Sequence, residues 1–351
     1  MAIDLAHRQT DGLANEDRNA LIRAVQAGVP FVRRPFAQLG ETLGVDEARV
    51  LEGLRSLSAE KVLREISAVL EGSLLGWDSA LVAGTVEPDA IAKVADVVSA
   101  HPTVTHNYLR EHDLNLWFTI AVPPEMNLER TLWLLAAEAG VRGFYPLRRT
   151  HTFKIGVNFD PERLQNATTA TVSGAGPSAR PIEVGPREVG MLRALQTPLP
   201  LVPQPFDEFA AEAGVEVDEL LGFAKNHLGG VIRRYVGTLR HRKLGVRDNG
   251  MVVWKVRGER IAGAGATLAA APEVSHCYAR SAIPGFPYSL YSMVHGPDRE
   301  TCRAIASQLA ERVGIDEYAV LFSEREFKKV RLRYFLPELD EWWAQRNGTA
   351  A

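Results

Sequence analysis

The chain has 351 residues, with 40 Lys and Arg against 43 Asp and Glu, a formal net charge of −3 at pH 7. That length exceeds what one hydrophobic core usually serves, so more than one domain is expected, and the charge offers no overall attraction to nucleic acid or an anionic membrane. Cys277 and Cys302 are too few for a disulfide framework, and neither a secretory signal nor a spanning run of about twenty apolar residues is evident, which predicts a soluble protein of the reducing cytoplasm.

After a loose N-terminus to about residue 15, an acidic start and apolar spacing predict a helix over 17–25. Helices over 36–43 and 46–57, separated by a turn at Gly44, complete a helix-turn-helix. Segments 61–67 and 72–86 read as the two strands of a wing. Strands over 81–85, 104–108, 116–122 and 144–147 then alternate with helices over 88–99 and 128–139, the βαββαβ order of a ferredoxin-like domain. A stretch of small polar residues without periodicity, 165–185, reads as a flexible linker.

Beyond the linker the pattern starts again. Pro35-Phe36 answers to Pro205-Phe206, His106 to His276 and Gly140 to Gly314, with one four-residue insertion in the second copy between the equivalents of Tyr108 and Leu116. The second ferredoxin-like pattern has strands over 251–256, 274–278, 290–294 and 318–322 and helices over 261–271 and 299–313. The expected fold is α+β: a tandem repeat of winged helix-turn-helix (16–87 and 186–250) and ferredoxin-like (79–164 and 251–345) domains, paired as a pseudo-dimer.

This architecture resembles that of the Lrp/AsnC regulators, and the resemblance suggests transcription or ligand sensing. The recognition helices argue against DNA. Residues 45–57 set Asp46, Glu47 and Glu52 against Arg49 and Arg55, and residues 215–227 set Glu216, Asp218 and Glu219 against Lys225 alone. A helix entering the major groove needs basic or amide side chains, and these are net acidic.

Charge is concentrated elsewhere. The second wing carries Arg240-His241-Arg242-Lys243, where the first has Glu71-Gly72-Ser73-Leu74 in the same apolar frame. Guanidinium groups bind carboxylates through a two-point fork, so this hairpin reads as a clamp for a polyanion, present in one copy only. His106 and His276 recur at equivalent strand positions, each with a tyrosine, Tyr108 or Tyr278, two residues on and so on the same face. No His-Glu-x-x-His, cysteine cluster, Walker loop or nucleophile elbow is present, and Gly263-Ala264-Gly265 lacks the lysine of a phosphate loop, so it reads as part of a helix.

Together, His106-Asn107-Tyr108 through Asn115-Leu116-Trp117-Phe118, Arg240-His241-Arg242-Lys243-Leu244-Gly245 with Asn249-Gly250-Met251, Val274-Ser275-His276-Cys277-Tyr278, Tyr288-Ser289-Leu290-Tyr291 and Arg325-Glu326-Phe327-Lys328-Lys329 resemble the siroheme decarboxylases over nearly the whole chain. The fused two-copy arrangement is similar to the enzymes of d-type haem synthesis, and two-subunit relatives serve an alternative haem pathway. The resemblance implies an Lrp/AsnC-like fold without DNA binding, and removal of two acetate carboxyls from siroheme to give 12,18-didecarboxysiroheme. The iron is carried by the substrate, so neither a protein cofactor nor a protein metal site is implied. Expected partners are siroheme and a second decarboxylase subunit or further copy of the chain, with no nucleic acid and no membrane.

A flat tetrapyrrole rich in carboxylates needs cations at the rim and aromatic surface beneath. Arg240, Arg242, Lys243, Arg280, Lys328, Asn249 and Asn115 are the expected polar contacts, and Trp117, Tyr278 and Tyr288 the aromatic ones. His276 and His241 are expected as acid or carboxylate-binding groups, with His106 and His112 in a related role or as an iron ligand. The departure from the family pattern is the first wing, which implies one working site.

Overall fold

The computed structural model describes residues 15–155, 158–160, 165–167, 174–175, 181–239 and 248–348. The first copy runs α1 (Asn15–Ala27), α2 (Pro35–Leu43), α3 (Glu47–Ala59), β1 (Leu63–Leu70), β2 (Asp78–Gly84), α4 (Ile91–Ala100), β3 (His106–Arg110), β4 (Leu116–Val122), α5 (Leu128–Ala139) and β5 (Tyr145–Ile155). Short strands β6 (Asn158–Asp160), β7 (Gln165–Ala167) and β8 (Gly174–Ala175) fall in the connecting segment. The second copy runs α6 (Pro186–Leu195), α7 (Phe206–Ala213), α8 (Val217–His227), β9 (Ile232–Leu239), β10 (Asp248–Trp254), α9 (Ile261–Ala270), β11 (Val274–Arg280), β12 (Leu290–Gly296), α10 (Arg299–Val313) and β13 (Tyr318–Lys329). A last helix, α11 (Pro337–Asn347), follows.

The chain divides into two compact units. The first holds both helix-turn-helix segments. Gly44 ends α2 in the left-handed region at φ 71° and Gly214 ends α7 at φ 66°, so the same glycine turn is used twice. Asp46 then caps α3 by accepting from the Arg49 N–H at 2.8 Å. The wing corrects the sequence reading. β1 forms no hairpin with 72–86; it pairs antiparallel with β9, its equivalent in the other copy, Ser67 opposite Val236. A 3-10 turn at Gly72–Leu75 breaks the chain after β1, and β2 belongs to the other unit. Among the described residues each wing contributes one strand, β1 or β9, to this pair.

In the second unit the two ferredoxin-like halves share one sheet. Its order is β11-β12-β10-β13-β3-β4-β2-β5, and β5 pairs again with β11, which closes an antiparallel barrel. Closure works by exchange. β5 pairs with β2 over residues 145–148 and with β11 over 149–155, while β13 pairs with β10 over 318–322 and with β3 over 323–329. Both strands run well past the expected ends at 147 and 322, because their polar second halves are held by main-chain bonds to the other copy and not by an apolar stripe.

Strand alternation sorts the side chains. On β10, Val252 and Trp254 join Leu268, Cys302, Ala306 and Leu309 of α9 and α10 in an outer core, whereas Met251 and Val253 face inward with Trp117, Leu147, Phe286, Tyr291 and Leu321. Gly265 lies inside α9, as expected for that glycine run. A Cβ there would come within 2.4 Å of the Phe153 ring, so the glycine is what lets β5 approach the helix.

Candidate active site inside the barrel

β3 and β11 carry the same alternating sequence, His106-Asn107-Tyr108-Leu109-Arg110 and His276-Cys277-Tyr278-Ala279-Arg280. Their even-numbered and odd-numbered positions face opposite ways. Asn107 is buried under α4, donating to Ala95 O at 3.1 Å and Ser99 Oγ at 3.0 Å, and Cys277 lies in the outer core against Gly265. His, Tyr and Arg of each strand therefore share the inner face.

Both arginines are anchored by a main-chain carbonyl, and among the described residues neither has a counterion. Arg110 Nη1 donates to Leu321 O and Arg280 Nη1 to Leu147 O, each at 3.0 Å. The Arg110 guanidinium lies 5.4 Å from the Tyr108 ring centre, and that of Arg280 lies 5.3 Å from Tyr278 and 5.6 Å from Tyr291. The Nε of each is buried with no hydrogen-bond partner, and among the described residues neither meets a carboxylate. Burial pulls both guanidinium groups down to about 10, still charged at neutral pH. Two such cations are an unfinished electrostatic arrangement that an anionic ligand can complete.

The inner histidines are held by hydroxyls. Thr105 Oγ1 lies 3.0 Å from His106 Nδ1, and Ser275 Oγ 2.9 Å from His276 Nδ1. With Nδ1 engaged in this way, proton exchange with a ligand would go through Nε2. The faces differ in charge: Tyr108 lies opposite Glu326 and its hydroxyl donates to that carboxylate at 3.4 Å, while Tyr278 lies opposite Thr152, and Arg280 lies opposite Arg149 where Arg110 has Ser323. A carboxylate beside the first triplet disfavours an anionic ligand there.

The remaining expected residues divide. Tyr288 is half-buried, stacking edge-on against Phe286 at 4.7 Å, and Asn249 is exposed at the start of β10. His112 Nδ1 accepts from the Leu114 N–H at 3.0 Å, its ring stands on Phe286, and burial lowers its basicity. Trp117 is 1 % exposed in the inner core, and its indole donates to Leu114 O. Asn115 also proves structural, exchanging two hydrogen bonds with the Val86 backbone. Lys328 sits on the helix side of β13, where its ammonium donates to Ser99 O and His101 O at the end of α4, as Lys154 does to Ala271 O at the end of α9. All three are engaged by main-chain groups of the fold. Arg240, His241, Arg242 and Lys243 lie outside the described residues.

Sequence reasoning missed Arg110 and Phe286. Arg110 is the repeat equivalent of Arg280, so the duplication itself carried the signal. Phe286 sits in the segment that the second copy inserts, between Trp117 at 5.4 Å and Tyr288.

In the first unit the basic residues of α3 are engaged within the chain: Arg49 pairs with Glu52, and Arg55 donates to Leu201 O. Among the described residues, no group of three or more His, Cys, Asp or Glu could hold a metal ion, and no helix is long and apolar enough to cross a membrane.

Comparison with known proteins places the fold in a family. An AsnC-like ligand-binding domain matches residues 74–154 and 243–328, and a siroheme decarboxylase NirDL-like HTH domain matches 18–64 and 190–233. The chain is 36% identical over 327 residues to a siroheme decarboxylase of Hydrogenobacter thermophilus, covering 93% of this chain and 97% of that one. A half-length relative, the siroheme decarboxylase beta subunit of Methanosarcina barkeri, is 40% identical over 147 residues, which are 42% of this chain and 97% of the subunit. The crystal structure of the siroheme decarboxylase NirDL in co-complex with an iron-uroporphyrin III analogue superposes with a TM-score of 0.79 at 31% identity, covering 95% of this chain and all of that one. With both halves of the repeat matched and the fold shared over 95% of its length, the chain belongs to the siroheme decarboxylase family.

Proposed function

We propose that this chain removes two acetate carboxyl groups from siroheme to give 12,18-didecarboxysiroheme. The observation that carries the reading is the duplicated His-x-Tyr-x-Arg strand, whose two inward guanidinium groups meet no carboxylate among the described residues. A tetrapyrrole edged with carboxylates supplies the missing charge, and the basic run Arg240-His241-Arg242-Lys243 supplies further cations from the second copy. The aromatic surface comes from Tyr278 and Tyr288.

In each decarboxylation the bond from the acetate methylene to its carboxylate breaks and carbon dioxide leaves. The electron pair passes into the macrocycle, and one proton delivered to the methylene carbon leaves a methyl group. The iron belongs to the substrate. His276 is the proton donor, its Nδ1 engaged by Ser275 so that exchange goes through Nε2, and His241 is a second acid or carboxylate-binding group. The first copy serves as scaffold: its wing lacks the basic run, and Glu326 stands beside its Tyr108. One chain holds both halves of the pseudo-dimer, and a reduced cytoplasmic setting suits the buried thiols Cys277 and Cys302.

Anaerobic incubation of the purified chain with siroheme, followed by mass spectrometry of the tetrapyrrole, tests the reading. Loss of two carbon dioxides is expected. A ligand that binds and comes back unchanged would make this a sensor.

A further inference from the structure

His295 lies on β12, on the same inner face as Tyr291 and Met293, and beside the proposed proton donor. Its Nε2 is 2.7 Å from Ser275 Oγ, whose other short contact is His276 Nδ1 at 2.9 Å. Ser275 is buried, at an irregularity in β11 between Val274 and His276 that turns its hydroxyl toward β12. Its third contact, Met293 O, is at the outer limit of a hydrogen bond at 3.5 Å. The first copy builds this differently. Thr105 Oγ1 lies 3.0 Å from His106 Nδ1 and 2.6 Å from Thr119 Oγ1, and the repeat equivalent of His295 is Ala121.

A hydroxyl has one proton to donate. With imidazole nitrogens at both short contacts, Ser275 donates to one ring and accepts from the other. If His295 Nε2 carries a proton, Ser275 donates to His276 Nδ1, and a neutral His276 holds its own proton on Nε2, ready for a ligand. If His295 accepts instead, the His276 proton sits on Nδ1 and Nε2 is a base. In the first copy the outer partner is a hydroxyl that adapts to either arrangement, so no such selection exists.

We infer that His295 is a positioning residue that acts through Ser275 to set the tautomer of His276. The role rests on the reading of His276 as proton donor. The chain also balances protons: when His276 Nε2 gives its proton to carbon, Nδ1 takes one from Ser275, and Ser275 takes one from cationic His295. Only His295 changes its protonation state. Among the described residues, the polar and titratable side chains on the same face of the adjoining strands are His276, Tyr278 and Arg280 of β11, Tyr291 of β12, Asn249 of β10, and Thr152 and Arg149 of β5 opposite Tyr278 and Arg280.

The test uses the full chain with His295→Leu, His295→Gln and Ser275→Ala. Histidine 15N spectra of the ligand-free protein report the His276 tautomer, and anaerobic turnover of siroheme reports kcat and KM. In wild type the His276 proton is expected on Nε2, and both His295→Leu and Ser275→Ala should shift the 15N pattern toward a mixture. His295→Leu should lower kcat about 10- to 100-fold with little change in KM, the size of effect seen when an orienting partner is lost. His295→Gln keeps an N–H donor and should recover most of the rate. A His276 tautomer that neither His295→Leu nor Ser275→Ala alters overturns the inference. The spectra stand apart from the decarboxylase reading, since that reading fails only if the wild type itself does not turn over.

Discussion

Arg110 and Arg280 occupy the same place in the two copies, and each donates to a carbonyl on the final strand of the opposite copy, Leu321 O and Leu147 O, at the same 3.0 Å. One bond per guanidinium and a tyrosine face do not repay the burial of a cation. Arg280→Met should therefore leave the ligand-free protein as stable as wild type or stabilise it by about 1–3 kcal/mol, because an uncompensated buried charge is removed. The same change should weaken binding of iron uroporphyrin at least tenfold. Denaturant melts and ligand titration measure the two effects; lower stability with unchanged binding would make the arginine a structural tie.

The two histidines should behave unequally. His276 belongs to the copy with the basic wing, and His106 to the copy whose face carries Glu326. His276→Ala is expected to reduce kcat by about 10²–10⁴, the range for loss of a general acid, and Arg240→Ala to raise KM. His106→Ala should cost much less. Single-turnover measurements on the three variants decide, and two variants that each retain half the activity would establish two working sites.

The repeat, the α+β class and the inner strands were legible because they depend on local pattern. His106, Tyr108 and Arg110 are spaced by two, and a period of two fixes a shared face whatever surrounds the strand. What stayed hidden depends on the partner of each edge. β1 reads as half of a hairpin, and nothing local to Leu63–Leu70 says that its neighbour is β9, more than 160 positions away. The second halves of β5 and β13 carry no apolar alternation because both are held by exchange. Lys328 reads as a ligand cation for the same reason: the end of α4 that it caps is brought to it by β3 pairing with β13.

His101 gives the fold a pH dependence of its own. It is buried, its Nδ1 takes contacts from Thr103, its Nε2 has no partner, and its ring stands on Trp342 at 4.4 Å. Burial pulls its pKa to about 3. A folded-state pKa below the unfolded value means that the unfolded chain binds more protons as pH falls. The contribution is fully present above about pH 6.5 and is lost on acidification toward pH 3, at roughly 1.4 kcal/mol per unit, or about 2 kcal/mol between pH 7 and pH 5. Comparing urea unfolding at those two pH values for wild type and His101→Gln should show a smaller difference in the variant. An identical difference would place the titration elsewhere.

Lys328 provides the sharpest separation of fold from ligand binding. Its ammonium donates at 2.6 Å to Ser99 O and at 3.1 Å to His101 O, two carbonyls at the C-terminal end of α4, where the helix dipole favours a cation. Burial lowers its pKa, so the bonds are made at the expense of solvation, and their loss takes the ammonium from Ser99 O and leaves His101 O with the Val104 N–H at 3.2 Å. Lys328→Met retains the aliphatic stem and should reduce stability by about 1.5–3 kcal/mol, the usual worth of hydrogen bonds to a charged group. KM for siroheme, measured at a temperature where the variant is fully folded, should stay within twofold of wild type. A variant of normal stability with a raised KM would return Lys328 to the ligand contacts.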